Sequence, residues 1–344
     1  MSGPAQRHPS EPPLPRVHPL KRAAARFARA LPAAWRFPVC GLPDPPAVAP
    51  ASSAGDVASI PRGTATHLGA HLDAGGRLIG EGGERAVAAM QRRFLQRQRF
   101  FPRVRRVAGT MASIATDAHT NYFHWMFEAL PRLRVLRQAG ADWDALYACQ
   151  RSPFQRASLA GLGIDSATVI DSTEAPFARA DTLLLPRIVN RDEPWIPAWL
   201  VEGLAPLAAR YHATPLPRRL YISRRKSASR GVANEAEVRA LLGARGFHEV
   251  FLEELSLGEQ IALFQHAEAV VGPHGAGFTN VIFCAPGTLV LELMGEGYPS
   301  EVYLRLGRGR GLNHHLVPCR VTGGNVHSSP IQVELPRLAE FLGR

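Results

Sequence analysis

The chain has almost no lysine. Of its 40 basic residues only Lys21 and Lys226 are lysines, and with 29 acidic residues the formal net charge is +11. This excess favours acidic partners, and guanidinium groups can bind phosphate oxygens bidentately. The concentrated basic stripe with exposed aromatics that is typical of nucleic-acid binders is lacking. We therefore expect no nucleic-acid partner, and attribute most arginines to the coding bias of a genome rich in Arg, Ala, Gly and Pro.

Cysteines and long apolar runs are also scarce. The four cysteines are widely spaced, without a CxxC pair or the Cys/His spacing of a zinc site, so free thiols and no metal are expected. There is no apolar segment of the kind found in signal peptides or membrane spans. The longest candidate, 267–294, is broken by His274, Asn280 and Pro286. These absences predict a cytoplasmic protein.

The 344 residues suffice for two domains of about 150 residues each. Short helices and strands alternate, which predicts an α/β fold with parallel sheets covered on both faces. We expect a Pro/Arg-rich, partly disordered N-terminal extension over 1–62, a first domain over 63–205 and a second domain over 206–325. A C-terminal helix in 326–344 is expected to pack back on the first domain.

The N-terminal extension contains a basic helix pattern from Lys21 to Trp35, with Phe27 and Leu31 on one face. Such a helix could lie on an anionic membrane surface, which would make the protein peripheral at the inner face of the membrane. The favoured alternative is that it docks on its own domain.

The strongest local pattern lies around the glycine-rich turn Gly272–Gly277. A β-branched strand runs into three glycines and then a helix, so that backbone N–H groups at the helix start could hold phosphate. A Walker lysine and the dinucleotide fingerprint are both lacking, which argues against a P-loop kinase and an NAD enzyme. His274 in this turn could donate a hydrogen bond to a diphosphate oxygen. The alternative is a tight structural turn.

A cluster of cations, Arg224, Arg225 and Lys226, follows the predicted strand Arg219–Ser223. Ligand crevices in open α/β sheets lie at such strand ends. Arg224 and Arg225 could clamp a diphosphate and offset charge on a leaving group. The alternative is a solvated charge run.

The third pattern is the aromatic segment 121–133. His124 and Glu128 are four residues apart and share a helix face. Either could deprotonate an acceptor hydroxyl while the other orients it, and the alternative is a core histidine. Pro131 is expected to kink this helix or to begin a new turn.

Two patterns imitate metal sites. Asp142-Trp-Asp144 has the DxD spelling of metal-dependent sugar transferases, but it lies between a helix and a short strand and is interpreted as a turn. The adjacent His314 and His315 do not make a metal site by themselves.

Together these segments resemble glycosyltransferase family 61, in a stretch of roughly residues 105–295. The residues that carry the resemblance are Asn121-Tyr-Phe-His-Trp, Glu128, Leu130-Pro-Arg-Leu133, Tyr221-Ile-Ser-Arg-Arg, Glu254-Leu-Ser-Leu, Glu259-Gln-Ile, Val271-Gly-Pro-His-Gly-Ala-Gly-Phe-Thr-Asn280, Phe283 and Pro286-Gly.

The resemblance implies a GT-B fold, with two Rossmann-like domains facing across a cleft. The domain over 63–205 would lie on the acceptor side, and the domain over 206–325 would bind the nucleotide sugar. It also implies inverting, metal-independent transfer from a nucleotide sugar, commonly a UDP-sugar, with no cofactor beyond that donor. The acceptor would be a surface polysaccharide or lipid-linked glycan, and the chain looks like the bacterial capsular type. The expected catalytic residues are His124, Glu128 and Arg225. The expected nucleotide-sugar-binding residues are Ser223, Arg224, Arg225, Glu254, His274, Gly275, Ala276, Gly277 and Asn280.

Two other function classes stay open. The first is a pyruvyl or other group transferase acting on polysaccharide. The second is a non-catalytic nucleotide- or nucleic-acid-binding protein that uses the basic surface. The sugar, the linkage and the oligomeric state are not determined by the sequence.

Overall fold

A computed structural model describes residues 39–41, 56–80, 103–116, 118–187, 198–211 and 216–343. The helix pattern from Lys21 to Trp35 and its suggested membrane contact lie outside these ranges. None of the helices within them combines the length and the apolar character needed to cross a bilayer.

The described strands form two sheets, and the first is mixed. Its order is β1-β5-β4-β3-β9-β6-β7-β8, with β2 also on β9. The strands β6, β7, β8 and β9 are parallel, whereas β2 and β3 run antiparallel to β9. The strands are β1 (Val39–Gly41), β2 (Asp56–Pro61), β3 (Thr64–Thr66), β4 (His71–Leu72), β5 (Leu78–Gly80), β6 (Arg105–Ser113), β7 (Ala145–Ala148), β8 (Val169–Asp171) and β9 (Phe177–Arg187).

The expectation of a wholly parallel first sheet is therefore wrong. Asp56 pairs with Arg187, and Thr64 pairs with Arg179 in the same antiparallel register. Thus β2 and β3 are two parts of one extended segment along β9, interrupted at Arg62, whose φ is 52°. The connections from β3 to β4 and from β4 to β5 are too short for the helical crossover that parallel neighbours need, and both of these pairs are antiparallel as well. Residues 56–61 also belong to the sheet and not to the predicted extension.

The second sheet fulfils the parallel expectation more closely. Its order is β11-β10-β12-β13-β14-β15, with parallel pairing throughout except for the antiparallel β15. The central strands are buried and almost wholly apolar, as expected when both faces of a parallel sheet are covered. These strands are β10 (Arg219–Ile222), β11 (His248–Val250), β12 (Ala269–Pro273), β13 (Leu289–Gly295), β14 (Asn313–Val321) and β15 (Ile331–Gln332).

The helix predicted for the aromatic segment and the C-terminal helix are both present. The segment 121–139 is α1 (Tyr122–His124), a π-helical turn (Trp125–Ala129) and then α2 (Pro131–Gln138). The others are α3 (Pro153–Gly161), α4 (Ala198–Glu202), α5 (Ala205–Ala208), α6 (Glu235–Gly243), α7 (Leu257–His266), α8 (Val302–Gly309) and α9 (Leu335–Leu342), with 3₁₀ helices at Ser166–Thr168, Leu252–Glu254 and Ala276–Phe283.

Local signals at three helix starts had different outcomes. Pro131 occupies the first turn of α2, where the missing N–H costs nothing, so it begins a new helix. The Ser256–Glu259 capping box is formed at the start of α7. Asn234 and Glu237 have the same spacing at the start of α6, but no capping box is formed there. Asn234 instead bonds through both atoms of its amide to the backbone of Val333, at 2.9 and 3.0 Å.

A continuous apolar core joins the two halves. One cluster includes Trp125 and Leu133 from the first half together with Ile222 and Phe264 from the second. The chain is therefore a mixed α/β protein whose two sheets share a core at their junction. The finer GT-B arrangement stays a prediction.

The C-terminal helix packs differently from the prediction. Leu338 of α9 is fully buried in the core of the second sheet, with Val238 and Leu242 of α6 and with Val317 of β14. The apolar residues of α9 lie on one helical face, and the turn after β15 carries that face over α6 and β14. The helix thus stabilises the second half and does not pack on the first.

Candidate functional site

A cavity of about 500 Å³ opens between the two halves, at the carboxyl ends of β10 and β12. The first half contributes Tyr122 and the start of α3, including Phe154. The second half contributes Arg224, the segment before α7, and the glycine turn. This is where open α/β sheets place their ligands.

Arg224 forms one wall of this cavity. Its guanidinium lies so close over Gly275 that any Cβ there would overlap it. Nε and Nη2 donate to the carbonyl of Ser229 at 3.1 and 3.0 Å, and Nη2 also donates to Ser227 Oγ. Among the described residues no carboxylate bonds to Arg224. Burial, and secondly the charge of Arg230, hold the pKa of Arg224 below its usual value. In the described structure Glu253 acts on this fixed positive charge only through space and no carboxylate bonds to it, so the wall favours an anionic ligand.

A second guanidinium, that of Arg230, does not belong to the cavity wall, but its charge acts on Arg224. Its Nη1 donates to the hydroxyl of Tyr298 at 2.9 Å, and its buried Nε has no acceptor among the described residues. Its φ of 55° places a non-glycine residue in the left-handed region, and such strain clusters at ligand sites. Arg230 was not predicted as a site residue, because the only indication in the sequence is its position six residues after Arg224.

Arg225 does not reach this cavity, which corrects its predicted role in a diphosphate clamp. Its side chain is 51% exposed, with Nη2 3.5 Å from Glu249 Oε2, and its guanidinium lies over the ring of Phe251. Consecutive residues after a strand point in different directions, and Glu249 attracts Arg225 to the outer side of β10. Of the two predicted clamp arginines, only Arg224 lines the cavity.

Glu254 is likewise displaced from its expected role. It forms an ion pair with Lys226, which lies over the Phe251 ring and lines the cavity. The carboxylate at the cavity wall is that of the neighbouring Glu253. Glu254 is therefore a partner of a rim cation and does not itself line the cavity.

The glycine turn approaches the cavity as the sequence suggested. Gly275 and Gly277 both line it, and a Cβ on Gly277 would lie 2.7 Å from Leu252 Cδ1. The predicted helix after the turn is present as the 3₁₀ helix Ala276–Phe283. Its first N–H groups, including those of Ala276 and Gly277, still have no intrahelical acceptor, so they remain available to an anion.

Asn280 connects the two halves and does not face a ligand, contrary to prediction. Its fully buried amide donates to Gln260 Oε1 at 2.8 Å and accepts from the hydroxyl of Tyr122 at 2.5 Å. Ser223 lines the cavity, but its Oγ donates to Glu235 at 2.8 Å and accepts from the Arg225 amide. Both residues hold the shape of the cavity.

The Tyr122–Asn280 hydrogen bond gives a test of this junction. Replacing Tyr122 by phenylalanine leaves the buried oxygen of Asn280 unpaired, which should lower the free energy of unfolding by about 1–3 kcal/mol. Urea unfolding measures the change. Tyr211→Phe is the matched control, since the contact of Tyr211 with Gly258 is made by its ring, and it should shift stability by less than about 0.5 kcal/mol. Equal effects of the two changes would contradict the role of the bond.

The structure brings His124 and Glu128 together. His124 Nδ1 lies 2.8 Å from Glu128 Oε1, and both side chains are about one-third exposed. The ring of Phe123 contacts His124 on one side and Tyr303 on the other, and Tyr303 packs against His274. Neither His124 nor Glu128 is a wall residue of the cavity, but they lie on the helix whose Tyr122 is one.

His274 belongs to a buried group that the sequence analysis did not find. Its Nδ1 is bonded to Glu292 Oε1, and Nε2 of His314 lies 3.1 Å from Glu292 Oε2. Burial raises the pKa of Glu292, but the two imidazole hydrogen bonds outweigh it, and the pKa lies below its usual value. The signal for this group was a glutamate in the otherwise apolar strand β13.

The two sequence patterns that resemble metal-binding motifs have structural roles. Asp144 Oδ2 accepts the backbone N–H of Thr110 at 2.8 Å, beside the irregularity of β6 at Gly109. His314 points inward to Glu292, and His315 on the opposite strand face bonds to Asn313. Across the described ranges, no three His, Cys, Asp or Glu residues are arranged to hold a metal ion.

The fold and cavity define an α/β protein with a cationic, phosphate-compatible site between two halves. Residues 122–291, about half of the chain, match the sequence model of the family described as Glycosyltransferase 61. The chain belongs to glycosyltransferase family 61, and the match contains the glycine turn, Arg224 and the His124–Glu128 pair.

Two curated plant relatives match shorter segments. A beta-1,2-xylosyltransferase of Arabidopsis thaliana is 27% identical over 64 residues, which cover 19% of this chain and 12% of that protein. The beta-1,2-xylosyltransferase RCN11 of Oryza sativa subsp. japonica is 30% identical over 63 residues, covering 18% and 12%. The chain thus spans only about an eighth of the length of these relatives.

Proposed function

We propose that the protein is an inverting glycosyltransferase that moves a sugar from a nucleotide-diphosphate donor, a UDP-sugar, to a glycan hydroxyl. The observation that carries this proposal is the Arg224 guanidinium packed over Gly275 at the cavity wall, with Arg230 beside it. Two neighbouring guanidiniums that lack bonded carboxylates in the described structure are suited to a ligand with more than one negative charge.

The cavity also suits the remainder of a nucleotide. Phe154 from the first half and Leu252, Leu255 and Phe278 from the second give it apolar walls. Ligand sites commonly combine such walls with a few fixed polar groups. We place the base and ribose along these walls and the diphosphate at Arg224, Arg230 and the start of the 3₁₀ helix.

The transfer follows from this placement. The acceptor oxygen attacks the anomeric carbon on the face opposite the diphosphate, the bond from that carbon to the phosphate oxygen breaks, and the electron pair stays on the leaving diphosphate. The acceptor proton passes to the His124–Glu128 pair. Arg224, Arg230 and the helix-start amides offset the charge that develops on the leaving group. Because these groups would offset the charge on the leaving diphosphate, we expect transfer without added metal and in the presence of a chelator.

The acceptor is proposed to be a surface polysaccharide or a lipid-linked glycan. The two plant relatives are named as xylosyltransferases, so UDP-xylose joins UDP-glucose and UDP-N-acetylglucosamine among the donors to test.

Thermal unfolding with candidate donors tests the proposal. A nucleotide donor at 10²–10³ times its Kd should stabilise the protein by about 2–4 kcal/mol. UDP and UDP-sugars should raise Tm, whereas uridine, which lacks the diphosphate, should not. Phosphoenolpyruvate is the probe for a pyruvyl transferase. Stabilisation by phosphoenolpyruvate without any effect of nucleoside diphosphates would contradict the proposal.

A further inference from the structure

Glu292 is placed where stability alone does not favour it. It is 0% exposed and lies in β13 between the apolar residues Leu291 and Leu293. Burying a carboxylate is unfavourable unless it is well paired, and a well-packed apolar residue in such a place is often as stabilising or more so. Packing alone therefore does not explain why a charged residue occupies this position.

Both carboxylate oxygens of Glu292 face an imidazole, His274 at Oε1 and His314 at Oε2. The two histidines differ in their surroundings. Nδ1 of His314 is buried without a partner among the described residues, and Gly307 packs directly against that ring. A proton on this nitrogen would leave a buried cation with one N–H unsatisfied. His314 therefore meets Glu292 through Nε2 alone.

His274 has a different second nitrogen. Its Nδ1 is held by Glu292, which leaves Nε2 on the opposite edge of the ring. Among the described residues Nε2 has no hydrogen-bond partner. Unlike Nδ1 of His314, it is not completely buried. His274 is not itself a wall residue, but it lies between Pro273 and Gly275, both of which line the cavity.

The groups around His274 come from several elements. They are Glu292 of β13, His314 of β14 through that carboxylate, Tyr303 of α8, and Tyr298, whose ring is 4.4 Å from the imidazole and whose hydroxyl accepts from Arg230. Arg224 is electrostatically coupled to the same two tyrosines and to Arg230. The imidazole thus bonds to one carboxylate, and the charges of two guanidiniums act on the tyrosines that pack against it.

We propose that Glu292 is a positioning residue that lets His274 take up a proton when a nucleotide diphosphate binds, with Nδ1–H on the carboxylate and Nε2–H donated to a phosphate oxygen. This inference rests on the proposed function and deepens it. The protonated pair of His274 and Glu292 has no net charge, which makes its burial cheaper, and Nε2–H adds a third cationic donor to Arg224 and Arg230.

Calorimetric titration of the full chain with UDP tests this proposal, in two buffers of different ionisation enthalpy from pH 6 to 9. The wild-type protein should take up more protons on binding UDP than the Glu292→Gln variant. The variant should bind UDP about tenfold or more weakly, as expected for losing a hydrogen bond to a charged group. Since the carboxylate favours the proton, the alkaline limb of the binding profile should move to lower pH in the variant. Glu237→Gln, at an exposed carboxylate of α6, is the matched control and should behave as wild type.

A double-mutant cycle separates positioning from general structure. If Glu292 acts through His274, then Glu292→Gln should have little further effect on UDP affinity in a His274→Gln background. Full additivity would overturn the proposal. If Glu292→Gln does not fold, His274→Gln alone decides, because proton uptake equal to that of wild type would overturn it. A wild-type protein that does not bind UDP would refute the proposed UDP donor itself, whereas normal UDP binding with unchanged proton uptake in the variants refutes only the role of Glu292.

Discussion

Replacing Arg224 by alanine should reduce sugar transfer by about 10²–10³-fold, comparable to removing one donor from a preorganised oxyanion site. Its guanidinium is held over Gly275 by the Ser229 carbonyl, so it is already oriented before the donor binds. The change should also weaken UDP binding while leaving the unfolding transition nearly intact, because Arg224 has no described ion pair to lose. Steady-state kinetics with a UDP-sugar and urea unfolding measure the two effects.

Arg225→Ala is the matched control for this prediction. The two residues are adjacent and have the same charge, but Arg225 is half exposed and faces Glu249 and Phe251. We expect its loss to change turnover by less than about threefold, as for ordinary surface substitutions. A severe loss in Arg225→Ala, with Arg224→Ala near wild type, would reverse the assignment and restore the clamp expected from the sequence alone.

The contrast between these arginines shows a limit of sequence inference. The strand end at Ile222 could be located from its apolar pattern, and with it the place of the cation cluster. Beyond the last paired residue the backbone has no fixed period, so nothing in the order of Arg224 and Arg225 tells which one faces the cavity. That choice depends on Glu249, a neighbour in space on β11, and on the space that Gly275 leaves open.

The fold shows the same limit, because strands with local sequence signals can be predicted and strands that depend on a distant partner cannot. The second sheet could be predicted because its buried parallel strands are apolar runs separated by helices with local start signals such as Ser256 and Glu259. The strands at 56–66 could not, since their pairing partner β9 lies more than 100 residues further along the chain. Their Ala- and Ser-containing sequence carries little signal without that partner.

The buried group around Glu292 could be predicted only in part. Alternation along β14 puts His314 and His315 on opposite faces, so one inward histidine could be expected. That it meets Glu292, and that Glu292 also meets His274, depends on the parallel register of three strands, which apolar patterns leave undetermined. The pattern did locate the glycine turn, because Gly275 and Gly277 are required by close approach of other groups.

Replacing His124 by alanine should lower kcat by about 10²–10⁴-fold, the range for loss of a general base, and leave UDP affinity unchanged. The physical reason is the 2.8 Å contact with Glu128, which fixes the ring and can stabilise the imidazolium formed when an acceptor hydroxyl loses its proton. Glu128→Gln should have a smaller effect on kcat, because its amide can still orient the ring without carrying the charge. Rate measurements at saturating UDP-sugar and acceptor, together with calorimetric UDP titration, separate chemistry from donor binding.

His67→Ala is a suitable control for this last variant, since His67 is a partly buried histidine of the first half that packs against Phe177 and bonds to the Pro176 carbonyl. It should leave kcat near wild type. If His124→Ala instead weakened UDP binding and left kcat unchanged, the pair would belong to the donor side. The aromatic contacts through Phe123 and Tyr303 would then connect His124 with His274 and the phosphates, and not with the acceptor. The acceptor proton would have to pass to a group other than His124.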